Sequence, residues 1–138
     1  MIDLAENGRD SLVSLREISE RQGISVKYLE RIAACLSKAG LIQAVRGTGG
    51  GYILTRRADE YTAGEIIRAA EGRVAPVECL ATKTNLCHRA AFCPALKFWT
   101  GLDKVINLYM DQFTLASFIN RQKRLVMSLR IRKLLQQD

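Results

Sequence analysis

Three cysteines stand within fifteen residues, Cys79, Cys87 and Cys93, in the spacing Cys-x7-Cys-x5-Cys. Thiolates are soft ligands that hold zinc or iron–sulfur clusters. A loop lets three sulfurs converge where a regular helix or strand would hold them apart. The spacing is not the Cys-x2-Cys pair of a structural zinc site. His88 is the only histidine and directly follows Cys87; it is a candidate fourth ligand, although adjacent residues seldom both reach one metal without strain. Buried thiols and a redox-active pair are the competing readings. Cys35 falls among apolar residues at helical spacing, where a small hydrophobe is the default.

Other chemistry has little to stand on. There is one histidine with no nucleophile arrangement beside it, no recognisable motif of paired acids and no P-loop. That leaves no candidate active site, and the chain reads as a non-enzyme. The run Gly47-Thr48-Gly49-Gly50-Gly51 lacks the following helix and the Lys-Ser/Thr pair of a phosphate cradle. A hairpin turn accounts for it better.

The stretch Ser25–Leu54 must position whatever the protein binds. Val26, Leu29, Ile32, Ala33 and Leu36 recur at helical spacing and predict one apolar stripe. Ser25 is a good N-cap, and Gly40 sits where a helix ends in the left-handed region. Leu41–Val45 then reads as a strand, the glycine run as a turn, and Tyr52–Leu54 as the returning strand. Upstream, Ser14 and Glu17 form a capping box opening a helix to about Gln22, and Gly23-Ile24 is a tight turn. Helix, turn, helix, strand, glycine turn, strand is a winged helix-turn-helix. Lys27, Arg31, Lys38, Arg46, Arg56 and Arg57 are opposed only by Glu30 between residues 27 and 57. A helix N-terminus and a cationic wing suit double-stranded DNA, since phosphates attract both and the major groove admits a helix.

The net charge of +7 is unevenly spread. Residues 1–26 carry three basic and five acidic groups, whereas residues 120–138 carry six basic groups and only Asp138. A basic balance admits nucleic acid or acidic membrane without choosing between them. No apolar run approaches the roughly 20 residues that span a bilayer, and no cleavable signal pattern opens the chain. These features predict a cytoplasmic protein with no membrane partner, in which cysteines are thiols or metal ligands.

Met1–Glu6 reads as the end of a helix stopped by Asn7-Gly8. It is too short to stand alone, which predicts a helix that begins upstream. Thr62 and Glu65 form a second capping box before a helix ended by Gly72. Residues 73–93 have neither helical nor strand period, and a loop that long usually signals function or disorder. Pro94 is expected as the first residue of a helix to about Asp111, with Leu96, Trp99, Leu102, Val105 or Ile106, and Tyr109 as its apolar face. So much apolar surface after a small winged domain predicts a dimerisation helix. Thr114–Ile119 starts a last helix, and the tail continues with apolar residues among arginines. The expected organisation is a winged helix-turn-helix domain at 1–72, a cysteine-bearing loop at 73–93, a dimerisation helix region at 94–119 and a basic tail at 120–138. The fold class is mainly α with a small two-stranded β wing.

Several segments together carry a family resemblance: Ile24–Glu30, Lys38–Ile42, Val45–Tyr52, Ala63–Ile67, Glu71-Gly72 and the cysteine loop. With these the chain, from residue 1 to about 119, resembles the bacterial iron–sulfur cluster regulator-like (IscR-like, Rrf-two) winged-helix transcription regulators. The resemblance implies a homodimer joined through its long C-terminal helices. It also implies regulation of iron–sulfur, nitric oxide, redox or cysteine-metabolism genes. Family recognition-helix contacts map onto Lys27, Tyr28, Glu30 and Arg31, and the wing arginine that enters the minor groove maps onto Arg46. Ser25, Thr48, Gly49 and Tyr52 complete the expected DNA-facing set. The cluster ligands map onto Cys79, Cys87 and Cys93, for a two-iron or four-iron cluster. The first cysteine interval is longer than in the best-known cluster-binding members, and Leu96 stands where some of them have a ligating histidine. Cluster-free sensing, by thiol oxidation or through a partner protein, is the alternative; a metal-binding scaffold is more distant.

Overall fold

The computed structural model describes residues 1–8, 11–82 and 84–119, so the basic tail at 120–138 lies outside the described residues. The chain packs as two units, Met1–Tyr61 with residues 114–119, and Thr62–Phe113.

The first unit holds α1 (Ile2–Asn7), α2 (Leu15–Gln22), α3 (Val26–Lys38), strands β1 (Ile42–Val45) and β2 (Gly51–Leu54), a single 3-10 turn at Ala58–Glu60, and α6 (Leu115–Ile119). The second holds α4 (Ala63–Glu71), 3-10 turns at Glu78–Leu80 and Ala90–Phe92, and α5 (Leu96–Asp111). It is a mainly α fold with a two-stranded antiparallel wing.

Local signals explain most element ends. The Ser14 hydroxyl accepts from the Glu17 N–H while the Glu17 carboxylate accepts from the Ser14 N–H at 2.7 Å, a complete capping box. That backbone N–H, with the Ser14 hydroxyl second, holds the Glu17 carboxyl below its ordinary range. Thr62 caps α4 through the Glu65 N–H at 3.0 Å. Gly23 ends α2 at φ 67° and Gly40 follows α3 at φ 71°, both left-handed as expected.

α1 has no side-chain cap, and tertiary burial holds it instead. Leu4 and Ala5 are buried, and so is Asp3. The Asp3 carboxylate accepts from Arg21 Nε at 3.1 Å and from a second Arg21 nitrogen at 2.7 Å, and from Gln22 Nε2 at 2.9 Å, clamping α1 to the end of α2.

The wing pairs Ile42 with Leu54 and Val45 with Gly51. Val13 adds an antiparallel bridge to Tyr52, with N–H···O distances of 3.1 and 2.8 Å. At the root of the wing lies Tyr61, wholly buried, as are Leu41 and Leu115 of the same unit. Its hydroxyl donates to the Leu41 carbonyl at 3.0 Å and accepts the Arg56 N–H at 2.6 Å. The Tyr61 carbonyl accepts the Leu115 N–H at 3.0 Å, tying α6 to the same point.

In the second unit α4 packs on α5. Arg68 reaches Asp111 at 2.6 Å and Asn107 at 3.2 Å, and Arg73 reaches Asp103 at 3.0 Å. Two expectations are corrected here. Pro94 precedes the helix instead of opening it: Ala95 is the cap and Leu96 the first helical residue. The α5 apolar residues also divide between two faces. Leu96, Trp99, Ile106 and Met110 are half-buried, while Phe98 (64%), Val105 (61%), Leu108 (56%) and Tyr109 (40%) are exposed.

Two predictions follow from this packing. Tyr61→Phe strips the buried Leu41 carbonyl of its hydroxyl donor and should cost about 1–3 kcal/mol in denaturant unfolding; a change within about 0.5 kcal/mol would show that the hydroxyl is dispensable. Hydrogen bonding to Arg21, chiefly, holds the Asp3 carboxyl below its ordinary value, against the opposing effect of burial. Its contribution is therefore complete above the unfolded carboxylate pKa of about 3.9 and fades as pH falls through the lowered native value. Asp3→Asn should lower Tm at pH 7 and flatten the acid limb of a Tm-against-pH curve; an unchanged acid limb would place the acid sensitivity elsewhere.

Candidate nucleic-acid interface and cysteine loop

The N-terminus of α3 stands in solvent. Ser25 Oγ accepts the Tyr28 N–H at 3.3 Å, fixing the first turn. Ala33 and Leu36 are buried and Leu29 and Ile32 half-buried. Val26, expected on the same stripe, is 38% exposed because it lies in that first turn, ahead of the core contacts. Ser25, Lys27, Tyr28, Glu30 and Arg31 are all exposed on this end of the helix. The Arg31 guanidinium lies over the Tyr28 ring, 5.1 Å from its centroid.

The tip of the wing is nearly bare backbone. Gly47 (φ 118°) and Gly49 (φ 77°) take conformations that side chains with a Cβ rarely adopt. A Cβ on Gly50 would meet the Val45 carbonyl, and one on Gly51 would lie 2.7 Å from the Val13 carbonyl. Arg46, Thr48 and Gly49 are exposed around this turn. Tyr52 differs from them: it lies in β2 next to the turn, opposite Ala44, half-buried, its backbone paired to Val13.

Charge in the first unit is partitioned. Arg16 pairs with Glu20, Arg21 with Asp3 and Arg57 with Asp59. Arg56 lies 4.4 Å over the Tyr61 ring and donates to the Glu60 carbonyl. Arg56 and Arg57, counted with the cationic stretch on sequence alone, thus have internal contacts. Among the described residues of this unit, Lys27, Lys38 and Arg46 have no such contact, and Arg31 has only the ring of Tyr28 on its own helix. All four lie on α3 or the wing.

The cysteine loop contains short turns where sequence periodicity shows nothing. Cys79 sits in the 3-10 turn Glu78–Leu80. The Cys87 N–H donates to Asn85 Oδ1 at 2.9 Å, and its carbonyl accepts the Ala90 N–H. Cys93 closes the turn Ala90–Phe92, and its carbonyl accepts the Leu96 N–H at 3.3 Å, joining the loop to the start of α5. All three thiols are free and half-buried, as is Cys35 on α3, and His88 is exposed. Among the described residues no three His, Cys, Asp or Glu side chains are grouped to hold a metal. The donor set fits an iron–sulfur cluster in its chemistry, three soft sulfurs on one short segment.

Sequence reasoning missed the Tyr61 network and the Tyr28–Arg31 stack. The stack had a signal, an aromatic and a cation three apart on one helix. The network had none, since its partners are up to 20 residues away.

Comparison with known proteins agrees with this architecture. No helix among the described residues is long and apolar enough to cross a membrane. A protein of Neisseria meningitidis serogroup A described as an HTH-type transcriptional regulator is 43% identical over 122 residues, 88% of this chain and 81% of that protein. The solved structure of T. potens IscR superposes with a TM-score of 0.67 at 37% identity, covering 86% of this chain and 76% of the other. CymR, the global cysteine regulator of B. subtilis, gives a TM-score of 0.66 at 30% identity, covering 86% and 85%. The family model for Rrf2, iron-dependent transcriptional regulator, matches residues 1–121. The chain therefore belongs to the Rrf2 family of winged-helix transcription regulators, whose role is non-enzymatic.

Proposed function

We propose that this DNA-binding regulator acts as a homodimer that places α3 in the major groove and the wing along the adjacent backbone, and that Cys79, Cys87 and Cys93 hold an iron–sulfur cluster controlling that activity. The observation that carries the DNA-facing part is the partition of charge. Among the described residues, cations elsewhere in the first unit are occupied internally, while Lys27, Lys38 and Arg46 have no ion pair or ring contact and Arg31 meets only the ring of Tyr28 on its own helix, with no carboxylate opposite it. Phosphates are the natural counter-charge for such a set. Ser25, Glu30, Thr48 and Gly49 stand exposed in the same two places, and the glycines let the wing backbone approach closely. Tyr52 contributes by holding the wing to Val13.

The dimer reading rests on α5. Phe98, Val105, Leu108 and Tyr109 leave an apolar face in water, which a second copy would cover with the same face in a two-fold arrangement. Two winged units joined in this way would address half-sites one helical turn, about 34 Å, or a multiple apart.

A bound cluster would supply a redox-labile centre whose gain or loss reports cellular status. The three thiolates of this chain would hold it, and Cys93 is hydrogen-bonded through its carbonyl to the first residue of α5. Drawing the sulfurs together therefore acts on residues 73–93 and on the start of the helix that bears the dimer face. The effect on DNA affinity is a shift in the population competent to span two half-sites. Cysteines that are half-buried and unconverged also suit direct thiol oxidation, which is the second reading.

Arg46→Ala should weaken binding to DNA from upstream of the protein's own gene and reduce the slope of log K against log salt by about 1. Anisotropy titrations across salt concentrations measure both, and an unchanged affinity and slope would remove the wing from the interface. Protein purified without oxygen should carry near-stoichiometric iron and acid-labile sulfide, which Cys87→Ser should lose. Parent protein that binds DNA but holds no iron would leave thiol oxidation as the sensing chemistry.

A further inference from the structure

We infer that Arg31, held by the ring of Tyr28, reads a guanine in each half-site, and that Tyr28 is a positioning residue for it. The inference rests on the DNA-binding reading above and goes beyond it by assigning a base.

Tyr28 is the better fixed of the pair. Its N–H is engaged by the Ser25 hydroxyl at 3.3 Å and the Ser25 carbonyl at 3.1 Å, so it stands in the first turn of α3, 42% exposed. Arg31 follows one turn later on the same face, and its guanidinium lies over the ring at 5.1 Å. Neither Glu30 nor any other carboxylate among the described residues pairs with Arg31. The ring lies beside the guanidinium carbon and accepts no N–H···O bond from it, and no carboxylate among the described residues takes up its N–H donors. Those donors form a planar fork that matches O6 and N7 of guanine bidentately. Holding the fork in place beforehand reduces the rotamer freedom lost on binding.

Lys27 provides the contrast on the same turn. It is exposed, has no ring partner among the described residues and presents a compact point charge. Such a charge suits a phosphate, which fixes orientation and carries no sequence information.

The test is selection from a random-sequence duplex library with the full chain, followed by titration of the winning site and its single-base variants. The parent should enrich sites with one invariant G·C pair in each half-site, and replacing that pair should weaken binding about 5- to 150-fold. Arg31→Ala should lose the preference at that position alone. Tyr28→Phe should keep it, Tyr28→Leu should lose part of it, and neither should change the salt slope. Lys27→Ala should weaken all sequences alike and lower the slope by about 1. Circular dichroism checks that each variant keeps its helix content. An Arg31→Ala protein that selects the parent's motif with the same fixed pair would overturn the guanine assignment. Full discrimination in Tyr28→Leu would overturn the role of Tyr28. A parent that enriches no sequence would overturn the DNA-binding reading itself, a result distinct from the other two.

Discussion

The buried hydroxyl of Tyr61 meets the chain at the two places where the wing begins and ends. One is the Leu41 carbonyl, where the chain leaves α3 and enters β1; the other is the Arg56 N–H, just after β2 ends. Thr55 reinforces the junction by donating to the Gly40 carbonyl at 2.7 Å, with its oxygen 3.2 Å from the same phenol. Both roots of the hairpin are thus fixed to one side chain that has no access to water. In so dry a place each unmade hydrogen bond is costly, so the network tolerates little variation in geometry. The direction of the wing relative to α3 is set here. Since a duplex presents its major groove and adjacent backbone at fixed separations, a reader built from a helix and a wing needs that direction held.

Above this rigid base the tip is made deliberately plain. Glycine at 47 and 49 supplies the left-handed backbone, and glycine at 50 and 51 admits the carbonyls of Val45 and Val13 where a Cβ would collide. The Val13–Tyr52 bridge then gives the outer strand a partner on its second side. Charge follows the same division between frame and surface. Among the described residues of the first unit, Asp3, Glu20 and Asp59 pair with arginines of the frame, and the basic side chains without an acidic partner lie on α3 and at the tip. A net charge alone would not have shown this, because pairing decides which cations are available to a partner.

What the sequence made legible was whatever depended on neighbours a few residues apart. Ser14 with Glu17, Ser25 before α3, Thr62 before α4 and the left-handed glycines at 23 and 40 act within one turn, and each is where local chemistry places it. The misreadings came from longer geometry. Stepping by three along α5 from Leu96 through Trp99 and Leu102 to Val105 turns about 60° backwards at every step, because a helix advances about 100° per residue. That path walks off the face it began on; of the two residues the spacing left open, Val105 ends in solvent and Ile106 is half-buried. Alternating steps of three and four, through Leu96, Trp99, Asp103, Ile106 and Met110, would have followed one side. Asp103 hides that side from an apolar count, since its carboxylate is there to receive Arg73.

The cysteine segment lacks periodicity for a reason of its own. Its structure is a series of single turns, each closed by a few backbone bonds, with Leu86 (80%) and Phe92 (89%) left in water. Closing chain segments as short as those between Cys79, Cys87 and Cys93 costs little more entropy than ordering their residues. If the three thiolates held a metal group as proposed, its bonds would be set against that small cost. The segment is joined at Cys93 to the first residue of α5, so under the proposed cluster reading a change at its thiols would be felt at the start of that helix. A loop already packed around converged sulfurs would respond far less.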